Sequence, residues 1–410
     1  MKVAVVNLGC KVNRVESDVI LQSLIARGCE CVSSREAEYI VVNTCTVTGE
    51  ADKKTRKAVR RALRCPHVRL VVVTGCAVAI HPDFYAAMDS RIKVEPCKLI
   101  VPDVICQAEA PIKPAAYFES FEEESNLRIG NNYPTRVGIK VQDGCNNACT
   151  FCIVHVARGR ATSRDIEDVV AEAKVYEQAG VEEIILTGIN LGSYRCEGFD
   201  LTGLLKRLLE ETDTVRYRVG SVEPRDIDDD FIDLLAHERG RICRHLHLPL
   251  QAGSSKVLRE MARPYSAQFF EDLLNRLYSA VPSLSLSTDV ICGFPGETEE
   301  EFEETLQMVE KGHFSKVHVF PYSIREGTPA ARREDQINPQ VKADRVARLS
   351  KQANNQRFEE YLKRCGTTEQ VLVETGGRAT TESYFEISVP ESFEVGRLYN
   401  LHLEKEYFLA

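Results

Sequence analysis

Three short apolar runs constrain this chain more than any other feature. Val3 to Leu8, Tyr39 to Val42 and Leu70 to Val73 are rich in β-branched residues on both faces, as strands buried inside a parallel sheet must be. Helix-like stretches, Glu16 to Ala26 and Ala51 to Leu63, lie between them, so this part reads as a doubly wound parallel sheet. Each run ends in a cysteine, as NLGC, NTC and TGC, which puts Cys10, Cys45 and Cys76 just beyond the carboxyl ends of three strands. Open α/β sheets bind ligands at that edge. A single thiol there reads equally well as small apolar filler. Three in the same topological position point to convergence in space and to a shared ligand.

Strand and helix alternate again further on, with strands expected at Val137 to Val141, Glu183 to Leu186, Tyr217 to Gly220, His245 to Leu248, Leu284 to Ile291 and Lys316 to Phe320. Six such units predict a partial (β/α)6 barrel whose active face is its carboxyl end. Residues 107–134, with Pro111, Pro114 and the acidic FEEES, break every regular period and read as a linker. A basic helix is expected from Val341 to Arg364. The alternating segments TEQVLVET, YFEISVP and RLYNLHLE then predict a small antiparallel β-barrel. The expected domains are 1–106, 135–364 and 365–410, joined by the linker.

Of the 410 residues, 43% are hydrophobic and 28% charged, which excludes wholesale disorder. No apolar run approaches a membrane span and the start lacks a secretory h-region, so a cytoplasmic protein without membrane contact, and a monomer, are expected. The net charge of −9 means that any nucleic-acid contact must come from a local patch. KKTRKAVRRALR supplies one: Lys53, Lys54, Arg56, Lys57, Arg60 and Arg61 stand among seven Lys or Arg and no acid, soon after Cys45. Such a run is ordinarily a solvated face, and beside a ligand site it can also grip phosphates. Residues 341–364 add seven basic residues against three acidic, and Arg158 and Arg160 are placed to meet substrate or the barrel rim. The last 45 residues carry three Lys or Arg against eight Glu, which predicts a surface that repels phosphates.

Fifteen cysteines in an intracellular chain call for ligand or core roles rather than disulfides. GCNNACTFC places Cys145, Cys149 and Cys152 in one loop after a strand. Three thiolates fill three iron sites of a 4Fe-4S cube and leave the fourth iron open. Zinc is the competing reading, with His155 as a fourth ligand. The other nine cysteines show no spacing logic and read as structural or surface thiols.

This loop, with aromatic Phe151 directly before its last cysteine, resembles that of the radical S-adenosylmethionine (SAM) superfamily. LGCKVN, VVNTCTVT, VVTGC, KVQDGCNNACTFC, ARGR, LTGINLGSY, HLHLPLQAGSSKVLREMARPY, STDVICGFPGET and HVFPYSIREGTPA together resemble the methylthiotransferase family over nearly the whole chain, including a terminal TRAM-like module. LGCKVN followed by DGCN is most similar to the branch that methylthiolates N6-threonylcarbamoyladenosine beside the anticodon of tRNA, at position 37. The isopentenyladenosine and ribosomal-protein branches typically carry other residues around the first cysteine.

The resemblance implies two 4Fe-4S clusters. Cys145, Cys149 and Cys152 hold one, whose open iron chelates SAM; Cys10, Cys45 and Cys76 hold an auxiliary one that carries sulfur. It implies reductive cleavage of SAM to a 5'-deoxyadenosyl radical and polar methylation of the sulfur by a second SAM. It places Phe151 by the adenine, Gly188 and Asn190 by the methionyl end, Ser221 and Glu223 by the ribose, and Gln251 as a further ligand. His245 and His247 share a strand face as lumen residues, and Asp289 is functional or hydrogen-bonded within the barrel. A sulfur donor and a one-electron reductant are required partners. The rival readings are a methylthiotransferase acting on an aspartate of a ribosomal protein, and a non-enzymatic iron-sulfur or zinc RNA-binding protein.

Overall fold

A computed structural model describes residues 1–106, 135–238 and 240–409; the expected linker, 107–134, lies outside the described residues. Strands β1 (Lys2–Asn7), β2 (Glu30–Cys31), β3 (Tyr39–Thr44), β4 (Leu70–Gly75) and β5 (Ile92–Val94) form a parallel sheet in the order β2-β1-β3-β4-β5. Successive side chains of a strand point to opposite faces, which is why the runs are apolar throughout. Val3, Val41 and Val72 pack with Ile20 and Leu24 of helix α1 (Lys11–Ala26), whereas Ile40, Val42 and Val73 pack with Val59 and Ala62 of helix α2 (Gly49–Leu63). The doubly wound expectation holds. Helix α1 starts earlier than its apolar period because its first turn buries Asn13, a polar residue with structural hydrogen bonds.

The second unit begins with β6 (Val137–Lys140). The short strands β7 (Gln142–Asp143) and β8 (Thr162–Ser163) pair antiparallel and pinch off the loop between them. Strands β9 (Glu183–Thr187), β10 (Arg216–Val219), β11 (His245–His247), β12 (Ser285–Cys292) and β13 (Lys316–Pro321) complete two parallel trios, β10-β9-β6 and β11-β12-β13. Parallel bridges Tyr217–Ile242 and Ser221–His247 join the trios into one six-stranded arc. Leu246, Leu286 and Val290 belong to the apolar core, while the alternate residues of the same strands are polar and meet one another.

Strands β14 (Thr368–Glu374), β15 (Arg378–Thr381), β16 (Glu386–Ser388) and β17 (Leu398–His402) form an antiparallel sheet in the order β16-β15-β14-β17. Phe408 bridges Ile387, carrying the chain from one edge of that sheet back to the other. Two fully buried arginines dock this module. Arg216 Nη2 and Arg218 Nε bond the Glu183 carboxylate at 2.6 and 2.8 Å, and the same guanidinium groups donate to the carbonyls of Gln370 at 3.1 Å and Thr381 and Glu382 at 3.0 Å. Burial raises the Glu183 carboxyl, but Arg218 and Arg216 outweigh it and hold it well below the usual range. Glu369, Glu374 and Glu382 face Arg364, Arg136 and Arg244, all outside the module. The acidic count therefore overstated the repulsive surface, because part of that charge is taken up in docking.

The N-terminal sheet is held at both edges of the arc. Helix α1 packs on β6, and at the β13 side Arg325 Nη1 pairs with Asp52 at 2.7 Å while its Nη2 donates to Thr46 Oγ1 at 2.7 Å.

Candidate active site

The first three thiols stand at adjacent strand ends. Asn7 lies opposite Asn43 and Thr44 opposite Gly75, so the chain leaves β1, β3 and β4 side by side, with Cys76 opening helix α3 (Cys76–Ile80). Gly9 has φ +130°, and a Cβ there would lie 2.9 Å from Cys45 Cβ and 3.2 Å from its Sγ; only glycine lets these loops touch. Asn13 knots them: its Nδ2 donates to the carbonyls of Leu8 at 3.1 Å and Thr44 at 2.8 Å, while Cys10 Sγ donates to its Oδ1 at 3.5 Å. Burial pushes the Cys45 thiol up to about 11, opposed by the Val47 amide and reinforced by Cys10 and Cys76. Burial also raises Cys76, against the pull of Arg158 and Lys98.

The loop enclosed by β7 and β8 carries the second triad. Gly144, at φ +68°, is another obligate glycine, since a Cβ would lie 2.0 Å from the Arg160 carbonyl oxygen. Donors converge on its sulfurs: Asn147 N on Cys145 Sγ at 3.4 Å, Val154 N on Cys152 Sγ at 3.4 Å, and Arg263 Nη1 on Cys149 Sγ at 3.0 Å. Burial pushes Cys152 up to about 12, opposed by the Val154 amide. Buried thiols of this kind are poor nucleophiles, whereas metal coordination deprotonates them outright. Amide and guanidinium donors aimed at sulfur fit thiolates that carry a cluster's negative charge.

A closed zinc site fits neither triad. Thiolates around zinc lie about 3.8 Å apart, as Zn–S bonds near 2.3 Å in a tetrahedron require. Among the described residues, three such ligand atoms come within 4.8 Å of one another only at His247, Asp289 and His318. His155, the fourth zinc ligand of the rival reading, is exposed on the helix Val154–Arg158.

Arg158 links the triads rather than lining a rim. Its side chain is 3% exposed, and its Nε lies 3.2 Å from Cys76 Sγ. Nη1 donates to Glu16 Oε1 and Asp143 Oδ1 at 2.9 Å each, and Nη2 donates to Asn13 Oδ1 at 2.8 Å. Burial raises the Glu16 carboxyl, but Lys140, Lys98 and Arg158 together hold it below its ordinary value. Arg160 is exposed.

Of the residues expected at SAM, Phe151 lies in the cysteine loop and the others follow β9, β10 and β11. Gly188 presses on Gln142: a Cβ there would lie 2.8 Å from Gln142 Oε1. That Oε1 accepts from the amides of Ile189 and Asn190 at 2.9 Å each. Asn190 is buried; its Nδ2 donates to Asp226 Oδ2 at 3.3 Å, and its Oδ1 lacks a partner among the described residues. Phe151 is partly buried against the barrel core. Ser221 bridges to His247. Glu223 accepts from Asn147 Nδ2 at 3.2 Å and pairs closely with Arg263; burial raises its carboxyl against that arginine. Gln251, in the loop after β11, holds a strained left-handed φ of +68° and bridges Val290 of β12.

Across the concave face, Ser287 Oγ lies 2.9 Å from both His245 Nε2 and His247 Nδ1, and His247 Nε2 lies 3.3 Å from Asp289 Oδ2. Gln142, Arg263 and His318 were missed in sequence. Gln142 and Arg263 sit inside the motifs KVQDGC and REMARPY but carry no spacing signal of their own.

A six-stranded parallel arc with three thiols in the loop beyond its first strand defines a radical SAM enzyme, and the family model described as the Radical SAM superfamily matches residues 139–309. Residues 2–94 match the model of the uncharacterized protein family UPF0004. A threonylcarbamoyladenosine tRNA methylthiotransferase from Bacillus subtilis is 40% identical over 370 residues, 85% of this chain and 79% of the relative. Its counterpart from Aquifex aeolicus is 33% identical over 407 residues, 97% of this chain and 99% of the relative. A tRNA-2-methylthio-N6-dimethylallyladenosine synthase from Carboxydothermus hydrogenoformans is 32% identical over 398 residues, 92% of this chain and 88% of the relative. The chain belongs to the radical SAM tRNA methylthiotransferases. The fold alone is shared with a radical SAM methyltransferase, TsrM, from Kitasatospora setae, at a TM-score of 0.57 and 16% identity over 80% of this chain and 77% of that one. Family membership implies a 4Fe-4S cluster, SAM and a tRNA substrate. Among the described residues no helix is long and apolar enough to cross a membrane.

Proposed function

We propose that this protein installs a methylthio group at C2 of N6-threonylcarbamoyladenosine 37 in cytoplasmic tRNA, using SAM as both radical source and methyl donor. The observation that carries this reading is the pair of thiol triads, with Arg158 reaching from Cys76 of the first to Asp143, two residues before Cys145 of the second. An aromatic C2–H is beyond the reach of a side-chain base, since general base help contributes about 10²–10⁴-fold. When bound, the cluster and SAM at the second triad supply hydrogen abstraction, while an auxiliary cluster at the first supplies sulfur.

The chain's own residues hold and aim these groups. Cys145, Cys149 and Cys152 leave one iron for SAM, and Asn190, Ser221, Glu223 and Gln251 line the approach to it. Residues 1–106 carry the auxiliary site, 135–364 the radical site and 365–410 the terminal module, with 107–134 as linker. Among the described residues, helix α2 presents Lys53, Lys57, Arg60 and Arg61 to solvent without a carboxylate partner and Lys54 pairs with Glu50, so this face suits phosphates. Mass spectrometry of tRNA nucleosides from a strain lacking the gene tests the reading. The 2-methylthio derivative of threonylcarbamoyladenosine should disappear and its unthiolated precursor accumulate; an unchanged derivative contradicts the assignment.

A further inference from the structure

Lys11 directly follows Cys10 and is an exposed cation with no carboxylate partner among the described residues. Its ammonium lies 4.6 Å from the ring centroid of Tyr384, which the terminal module presents at a left-handed φ of +70°. On the barrel side, Tyr384 stacks on His245 at 4.5 Å, and Arg218 and Arg136 approach its ring at 5.1 and 6.0 Å. Three parts of the chain thus meet at one spot beside the first thiol triad.

The local charge is unbalanced. Glu183 neutralises Arg216 and Arg218 only in part, since one carboxylate serves two guanidinium groups. Glu374 pairs with Arg136, yet Arg136 Nη1 is buried without a hydrogen-bond partner, as is Nδ1 of the buried His245. Asp289 is engaged by His247 at 3.3 Å, and Lys11 acts on its carboxylate through space without pairing with it. Burial alone would raise the Tyr384 phenol, but Lys11, Arg136 and Arg218 outweigh it and hold it below its ordinary value. A spot with surplus positive charge and an unpartnered guanidinium nitrogen beside an aromatic ring suits a small anion.

We propose that Lys11, against Tyr384 and His245, is the receptor for the carboxylate of the threonylcarbamoyl substituent on the substrate base, and so a specificity-determining residue. This inference rests on the proposed substrate. It gives a physical reason for selectivity: the dimethylallyl group named for the synthase relatives is uncharged and would leave the Lys11 ammonium with Tyr384 but without an anionic partner.

The test uses anaerobically reconstituted, full-length enzyme and anticodon stem-loop RNAs carrying threonylcarbamoyladenosine, its threonyl carboxamide, or plain adenosine at the target position. Charge-assisted hydrogen bonding predicts that wild type binds the acid about tenfold more tightly than the carboxamide. Lys11→Met should reduce that preference to about twofold or less with iron content retained, and Lys11→Arg should keep most of it. Equal handling of acid and carboxamide by wild type, or a preference that survives Lys11→Met, overturns the subsite while the methylthiolation reading stands. If Lys11→Met weakens all three RNAs equally, the residue contacts backbone phosphate and the inference also fails. If wild type methylthiolates none of the three, the substrate reading itself has failed.

Discussion

Arg158 concentrates more of the chemistry than any other single side chain, because one guanidinium touches a sulfur of the first triad and a carboxylate at the mouth of the second. Replacing it by Met leaves the buried Glu16 and the half-buried Asp143 with fewer partners, a change that costs about 3–5 kcal/mol when a fully buried pair is broken and less here because Lys98 and Lys140 remain and Asp143 meets solvent. Arg158→Met should therefore lower the melting temperature and yield deoxyadenosine without matching methylthiolation. An unaltered melt together with an unaltered product ratio would contradict the coupling role. His318 offers a second test. Burial lowers its imidazole to about 4, with Asp289 opposing, whereas the unfolded chain titrates near 6.5. Between those values the unfolded state binds the extra proton, so this site's stabilisation is complete above pH 6.5 and drains away as pH falls to about 4. The imidazole resonances of His318 should stay those of the neutral ring down to pH 5.5; a midpoint near 6.5 in an NMR titration would refute it.

Helix α1 and strand β6 meet with no room to spare. A Cβ on Gly138 would lie 2.2 Å from Val15 Cγ2, a β-branched side chain whose rotamer is stiff in a helix. Gly138→Ala should cost about 1–3 kcal/mol by overpacking, and Val15→Ala in the same chain should recover part of it; additive losses in urea melts would contradict direct contact. Helix α2 carries the RNA prediction. Neutralising Lys53, Lys54, Arg56 and Lys57 should weaken tRNA binding and flatten its salt dependence, by roughly 0.9 in log–log slope for each duplex phosphate no longer gripped. Unchanged slope returns α2 to an ordinary solvated face. These elements were legible beforehand because β-branched runs and a basic amphipathic period are local signals. The first turn of α1 was not, since Asn13 is buried by loops from β1 and β3.

At the scale of the whole molecule, what escaped the sequence is what depends on contacts between distant segments. The six cysteines announced themselves by position and spacing. Gln142, Arg263 and Lys11 did not, and Arg158 was expected at substrate or the barrel rim, because each acts on a partner that a linear pattern cannot place beside it: Arg158 on Cys76, Gln142 on Asn190, Arg263 on Cys149, Lys11 on Tyr384. Charge counting on the terminal module missed part of the picture for the same reason, since Glu369, Glu374 and Glu382 face arginines that the segmental sum leaves out. The central claim is that the two triads are separate cluster sites within one enzyme. Anaerobic reconstitution with iron and sulfide quantitation and Mössbauer spectroscopy measures this directly. Wild type should hold about eight irons and about eight sulfides per chain, and Cys149→Ala and Cys45→Ala about four of each, with deoxyadenosine release abolished only in the first. Four irons in wild type, or complete loss of iron from either variant, would contradict two independent sites.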